Sequence, residues 1–285
     1  MMVHFFSYFF DIYLYLVLVR GIDRSTEKVR IPFEKIKLFG RSSEIERLCD
    51  HFLNGSPADA SAMNSNMAVI TGTSGIGKTS LAICVAYELQ PYYLRQHFFQ
   101  ASTLDVLKEE LVRFARVHLI YNSNNTTSSN NNNVADDLAT ALEYLKTHFS
   151  WLLVIDDVTN ATEVIEYFTP IVEASNKAAA EVNCSGALVM AGQRGGAIIL
   201  TTQTLLPANS FEIQLQGLTR DSAVELLKKL NFRGGKIEIE DYSDPIVSKF
   251  LDEVTGNHPL AVTQVFIVHL SNRNLMFCTS LDSFS

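Results

Sequence analysis

Short unbroken apolar runs recur along the chain, separated by stretches in which apolar residues return every three or four positions. Met67–Thr71, Trp151–Ile155 and Ala197–Leu200 are such runs, and their length suits strands covered on both faces of a parallel sheet. Phe211, Ile213 and Leu215 alternate with polar residues instead, the period of a half-buried strand. Residues 78–90 follow the first run in helical period. Beyond residue 216 only the helical period remains. Ala223, Leu226, Leu227 and Leu230 mark one face, and Thr219 is placed to cap it. A second helix is predicted from Ser243 or Asp244, with Pro245 in its first turn and Gly256 at its end. Strands alternating with helices, then helices alone, predict an α/β domain over residues 31–216 and a small helical lid over 217–285. No internal repeat is visible.

Two polar stretches interrupt this pattern. Gly55–Asn66 forms a small, polar loop. Asn122–Asn133 contains only Asn, Ser and Thr, so it has no apolar surface to bury and a disordered insertion between two helices is predicted. The N-terminus departs in the other direction: residues 1–19 are long enough and apolar enough to consider as a membrane span. Asp11 would cost about 3 kcal/mol at the bilayer centre, against about 0.3–0.6 kcal/mol returned by each of eleven Leu, Ile, Phe and Val residues. The segment has no basic start and no small-residue cleavage site, so it reads as a poor secretory signal. Three readings stay open for residues 1–30: a membrane anchor, an element buried in the folded protein, or a misplaced start. Arg20, Arg24, Lys28 and Arg30 follow, so an anchor would leave the rest of the chain in the cytoplasm.

At 285 residues, with 47% hydrophobic and 19% charged, the chain has enough to bury one large domain or two modest ones. Its formal net charge of −8 argues against nucleic-acid phosphates as a main partner, and no nucleic acid is expected. Cys49, Cys84, Cys184 and Cys278 lie far apart, without CxxC or Cys/His ligand spacing. Neither a disulfide framework nor a zinc site is expected, and a reducing cytoplasmic compartment is the default.

The strongest chemical signal lies between the first apolar run and the helix behind it. Gly72-Thr73-Ser74-Gly75-Ile76-Gly77-Lys78-Thr79 fits G-x-x-x-x-G-K-[ST], and Ser80 continues the same turn. Glycines there let successive backbone N–H groups turn inward around phosphate oxygens, which β-carbons would obstruct. Lys78 brings a cation to the β- and γ-phosphates, Thr79 offers a hydroxyl to Mg²⁺, and the helix presents its positive end. A metal partner is expected from a neighbouring strand, and the run at 151–155 ends in Asp156 and Asp157. Asp156 is the candidate for Mg²⁺, and Asp157 for orienting or polarising an attacking water, a catalytic role. The guanine-specifying Asn-Lys-x-Asp is missing, because Asn176-Lys177-Ala178-Ala179 has no acid in fourth place. Adenine is therefore expected.

These residues resemble the NB-ARC group of STAND P-loop NTPases, nucleotide-binding switches. Leu38-Phe39-Gly40-Arg41-Ser42-Ser43-Glu44 is similar to the family's aromatic-Gly-Arg segment before the P-loop. Ala197-Ile198-Ile199-Leu200-Thr201-Thr202-Gln203 resembles the strand that usually ends Thr-Thr-Arg, and Gly256-Asn257-His258-Pro259-Leu260-Ala261 the Gly-x-Pro-Leu-Ala motif of the helical subdomain. The likeness spans about residues 31–266, with its motifs in the family's order. It implies a P-loop NTPase parallel sheet with flanking helices and a helical lid, binding ADP or ATP with Mg²⁺. It also implies adenine-side contacts from Phe39, Gly40 and Arg41, a γ-phosphate position at Gln203, and a nucleotide-facing turn at Pro259.

The departures shape the expected activity. Gln203 stands where the family carries arginine, a neutral amide in place of a charged sensor. Arg194 does not replace it, since a seven-residue strand would separate the two by roughly 23 Å. No winged-helix, repeat or effector domain follows, so the chain reads as truncated after the helical subdomain, and His258 reads as a helix-start residue rather than a ligand. An ADP/ATP switch in signalling or regulated assembly is expected, with at most slow hydrolysis and with protein partners or self-association on activation. Two alternatives stay open: an AAA+-like ATPase motor, or a truncated, non-signalling protein that binds a full-length relative.

Overall fold

Five strands pair in parallel to form one sheet: β1 Met67–Thr71, β2 Arg95–Gln100, β3 Trp151–Val158, β4 Ala197–Thr202 and β5 Glu212–Gln214, in the order β2-β3-β4-β1-β5. The computed structural model describes residues 38–54, 66–120, 134–183, 194–204, 206, 211–234, 247 and 249–264. The N-terminal segment 1–30, the insertion Asn122–Asn133 and the helix start at Ser243–Pro245 lie outside the described residues, as does most of the loop 55–66. No helix among the described residues is long and apolar enough to cross a membrane.

The helices are α1 Ser42–Asn54, α2 Lys78–Glu88, α3 Leu104–Phe114, α4 Val134–Thr147, α5 Ala161–Asn183 and α6 Arg220–Gly234. Two π-helical segments, Ala115–Ile120 and Phe250–Val254, extend α3 and build part of the lid. β1 and β4 are buried along their whole length, as the apolar runs require. Alternate residues divide the sheet between two cores. Val69, Leu153, Ile155, Ile198 and Leu200 pack with Leu107, Leu111, Leu145 and Phe168 of α3, α4 and α5. Ala68, Ile70, Leu152, Val154 and Ile199 pack with Leu48, Phe52, Leu81 and Val85 of α1 and α2. Leu218, Ala223, Leu227, Val247, Phe250, Leu251 and Val262 form a third, smaller cluster, the core of the lid. Thr219 caps α6 as its sequence predicts, its Oγ1 accepting from Ser222 N at 3.4 Å.

The structure extends two of the predicted strands. β3 runs past Ile155 to Val158 and β4 past Leu200 to Thr202, so polar site residues belong to the strands rather than to the turns behind them. The β3–β4 register shifts between Ile155 and Val158, and Asp157 there takes φ +64°. Such an irregularity re-aims side chains at the sheet edge.

β2 carries no apolar run, because Gln96 and His97 occupy buried positions on it. Gln96 Nε2 donates to Ala86 O at 2.8 Å, while His97 Nε2 has no partner among the described residues. Burial above all, with His118 and Arg95 nearby, pushes the His97 imidazole down to about 3. The ring stays neutral in the folded chain but takes a proton in the unfolded chain below about pH 6.5. Its contribution to stability is therefore complete above that pH and lost progressively as pH falls toward 3. His97→Leu should flatten this part of a urea-unfolding profile measured between pH 7 and 4. An unaltered profile would assign acid lability to other groups.

Candidate functional site

The loop from β1 to α2 has the backbone that its glycines predict. Gly72, Gly75 and Gly77 take φ of +146°, +76° and +102°, and Gly77 caps α2 in the left-handed region. At Gly75 space adds to conformation: a β-carbon there would stand 2.5 Å from Leu260 Cδ2. Thr73, Ser74 and Gly75 are exposed, Thr79 and Ser80 half-buried, and Ile76 anchors the loop in the α1–α2 core. Lys78, on the first turn of α2, is 8% exposed, and its Nζ donates to Gly72 O and Thr73 O, both at 2.9 Å. Burial holds the ammonium below its ordinary pKa, opposed by the charges of Asp157 and Asp156. A buried cation and three glycines of positive φ fit the phosphates of a nucleotide.

The carboxylates sit one strand further away than the sequence predicts. β4 lies between β1 and β3, so the expected neighbouring strand is corrected to the next but one. Thr201 of β4 fills the interval. Its hydroxyl donates to Asp156 Oδ1 at 2.6 Å and accepts from Asp157 N at 2.9 Å. Thr79 donates to the same Asp156 oxygen at 2.8 Å, which joins the P-loop helix to β3. Asp156 is 7% exposed, whereas Asp157 is exposed, held by its left-handed backbone at the sheet edge. The Thr79 hydroxyl and the Asp156 carboxylate are hard oxygen donors brought together, the donor type that Mg²⁺ takes alongside phosphate oxygens.

The segment before α1 acts as a brace. Arg41, 6% exposed, pairs with Glu44 at 2.9 Å and donates from Nη2 to Gln216 O at 2.6 Å and Ile76 O at 3.4 Å. One guanidinium thus ties α1 to the P-loop and to the linker that leads into the lid. Gly40, at φ +60°, lies so close to α6 that a β-carbon would collide with the Ser222 side chain. Lys229 Nζ of α6 sits 5.0 Å from the centroid of the Phe39 ring.

The lid returns to the phosphate loop from the other side. Gly256 and Asn257, both with positive φ, close the Phe250–Val254 turn. Asn257 N donates to Leu251 O at 2.9 Å, and Leu218 N donates to Asn257 O at 3.0 Å. Pinned from two directions, the turn brings His258 Nε2 to 3.4 Å from Thr73 Oγ1 and lays Leu260 across Gly75. Pro259, half-buried between them, opens the helical stretch 259–264. Gln203 is exposed just beyond Thr202, at the end of β4.

Every predicted site residue falls among the described residues. Sequence reasoning missed Thr201 as a bridge between the carboxylates, although the Thr-Thr ending its apolar run was visible. The turn around Pro259 was expected to face the nucleotide, but the particular contacts of its neighbours His258 and Leu260 with Thr73 and Gly75 were not.

No family model and no curated protein matches the sequence. Solved structures do match. Cdc6p from Pyrobaculum aerophilum superposes with a TM-score of 0.50 at 15% identity, covering 88% of this chain and 67% of that one. A STAND protein with a tetratricopeptide repeat sensor from Pyrococcus horikoshii matches at a TM-score of 0.42 and 15% identity; 89% of this chain spans only 35% of it. The replication initiator DnaA, solved bound to AMPPCP and single-stranded DNA, matches at 0.44 and 14% identity over 92% of this chain and 69% of its own. The parallel sheet, its strand order and the loop between β1 and α2 define the class: this chain has the α/β fold of the P-loop NTPases.

Proposed function

We propose that the chain is an adenine-nucleotide switch of the NB-ARC/STAND type, in which the nucleotide's phosphates set the position of the helical lid. The observation that carries this reading is the seating of lid residues His258 and Leu260 on Thr73 and Gly75 of the P-loop. A ligand held by that loop must share space with the lid. The glycine cradle and Lys78 would hold ADP or ATP, with Phe39, Gly40 and Arg41 on the adenine side. Thr79 and Asp156 would hold Mg²⁺, which neutralises phosphate charge when bound. Asp157, exposed next to Asp156, would orient a water. Gln203 offers a neutral amide where a charged group would favour the γ-phosphate, so turnover is expected to be slow and ATP poorly distinguished from ADP. The −8 charge favours protein partners or self-association over nucleic acid.

Identifying the nucleotide released when freshly purified protein is gently denatured tests this reading. Retained ADP is the expected result. Rapid multiple turnover of added ATP would support a motor instead, and a chain that neither retains nor binds nucleotide would overturn the switch.

A further inference from the structure

We infer that Ser43 is a phosphorylation site for an acid-directed protein kinase, and that phosphate there releases the Arg41 brace between α1, the P-loop and the lid linker. The inference goes beyond the nucleotide reading and does not rest on it. Its first support is an unbroken polar chain running inward from the surface. Ser43, exposed on the first turn of α1, donates from Oγ to Glu44 Oε2 at 2.7 Å. The other carboxylate oxygen, Oε1, accepts from Arg41 Nη1 at 2.9 Å. Arg41 Nη2 then reaches the carbonyls of Gln216 and Ile76. Burial alone would raise the pKa of Glu44, but hydrogen bonds from Ser43 and Arg41 hold it below its ordinary value, so the link is a carboxylate.

The second support is what flanks the hydroxyl. Glu44 follows it directly and Glu46, exposed, stands three residues on, whereas Ser42 has Ile45 in that place. Carboxylates at those positions suit a kinase whose peptide groove is basic. A first turn need only fray to enter such a groove. In the transfer, Ser43 Oγ attacks the γ-phosphorus of ATP and the bond from that phosphorus to the β–γ bridging oxygen breaks. ADP leaves, and the hydroxyl proton passes to the kinase's base.

The product reverses the sign of the outermost link. A donor to Glu44 becomes a group of about −1.5 to −2 charge whose oxygens accept. The two anions repel each other, and Arg41 is the cation already bound to one of them. A planar guanidinium matches phosphate with two parallel hydrogen bonds. Turned outward to make them, Arg41 leaves Gln216 O and Ile76 O, while the start of α1 accommodates the added negative charge. The linker into the lid thereby loses its tie to α1.

Two measurements test this. Incubated with ATP and an acid-directed kinase of the casein-kinase class, the natural chain should carry phosphate on Ser43, read by peptide mass spectrometry. Amide exchange is then compared, without added nucleotide, in the natural chain, the chain made with phosphoserine at position 43, and Ser43→Ala. The reporter is Leu218 N, which donates to Asn257 O at 3.0 Å close to the Gln216 tie. It should exchange about tenfold or more faster with phosphoserine, the effect of losing a charge-assisted hydrogen bond, and within about twofold of natural in Ser43→Ala. In an Arg41→Gln background it should exchange fast with or without the phosphate. Several results would each overturn the inference and leave the nucleotide site standing: no phosphate on Ser43, unchanged exchange at Leu218, equal acceleration in Ser43→Ala, or a phosphate effect that persists in full in Arg41→Gln. Should Arg41→Gln fail to fold, the comparison of phosphoserine with Ser43→Ala decides.

Discussion

Lys78→Ala is expected to remove at least half of the rise in melting temperature that ADP gives the natural chain. A ligand at about a hundred times its Kd stabilises the folded state by about 2.7 kcal/mol, or about 5–10 °C for a chain of this size. The charge-assisted contact from the ammonium to phosphate contributes about 1.5–3 kcal/mol of binding, so its loss removes between about half and nine-tenths of that rise at the same ADP concentration. The nucleotide-free melting temperature should change little. Truncation sacrifices two hydrogen bonds to Gly72 O and Thr73 O, each contributing about 1 kcal/mol net. It also relieves the burial of a cation that is 8% exposed and held below its ordinary pKa. The two effects oppose each other. Differential scanning fluorimetry with and without ADP reads both quantities, and an undiminished ADP shift in Lys78→Ala would remove the P-loop assignment.

The same loop shows how much a sequence reveals unaided. Met67–Thr71 was legible to the residue because a strand covered on both faces must be apolar throughout, and the glycines and lysine behind it are fixed by backbone geometry. β2 was not legible, since its buried Gln96 and His97 look polar; only the distant carbonyl of Ala86 makes Gln96 tolerable there. α5 holds Pro170 inside a helix of 23 residues, a residue that local rules place at helix starts and breaks. At the site, Lys78 and Thr79 were legible because their motif is a short local pattern, and Asp156 because it ends an apolar run. Thr201 escaped because its role depends on β4 lying between β1 and β3, and strand order is not written in hydrophobic periodicity. The turn at Pro259 was expected to face the nucleotide, but its neighbour His258 was read only as a helix start, because its meeting with Thr73 depends on how the lid folds back. The brace at Arg41 lies between these cases. Its segment was recognisable, but its side chain spends its hydrogen bonds on Glu44, Gln216 and Ile76, coupling the loop to the lid linker.

Asp156→Asn is expected to remove most of the Mg²⁺ dependence of ATP binding while leaving the fold intact. Asparagine is nearly isosteric and keeps a carbonyl oxygen to accept from both Thr79 and Thr201, which now converge on Asp156 Oδ1 at 2.8 and 2.6 Å. The bridge from Thr201 to Asp157 N at 2.9 Å therefore survives, and with it the backbone of the β3 edge. What disappears is the negative charge, the part that matters to a hard divalent cation. Lys78 loses a carboxylate neighbour as well, but its own hydrogen bonds are to carbonyls, so the loop should hold its shape. The nucleotide-free stability should stay within about 1 kcal/mol of the natural chain, the scale of exchanging one charge-assisted hydrogen bond for a neutral one. Thr201→Val supplies the contrast. It removes the bridging hydroxyl, leaves Asp157 N without its acceptor and should cost about 1–3 kcal/mol of stability while the Asp156 charge remains. Titrating ATP with and without Mg²⁺, beside urea unfolding of each variant, separates the two. Asp156→Asn that loses more stability than Thr201→Val yet keeps its metal dependence would make the carboxylate a structural acceptor and return the metal role to Thr79 alone.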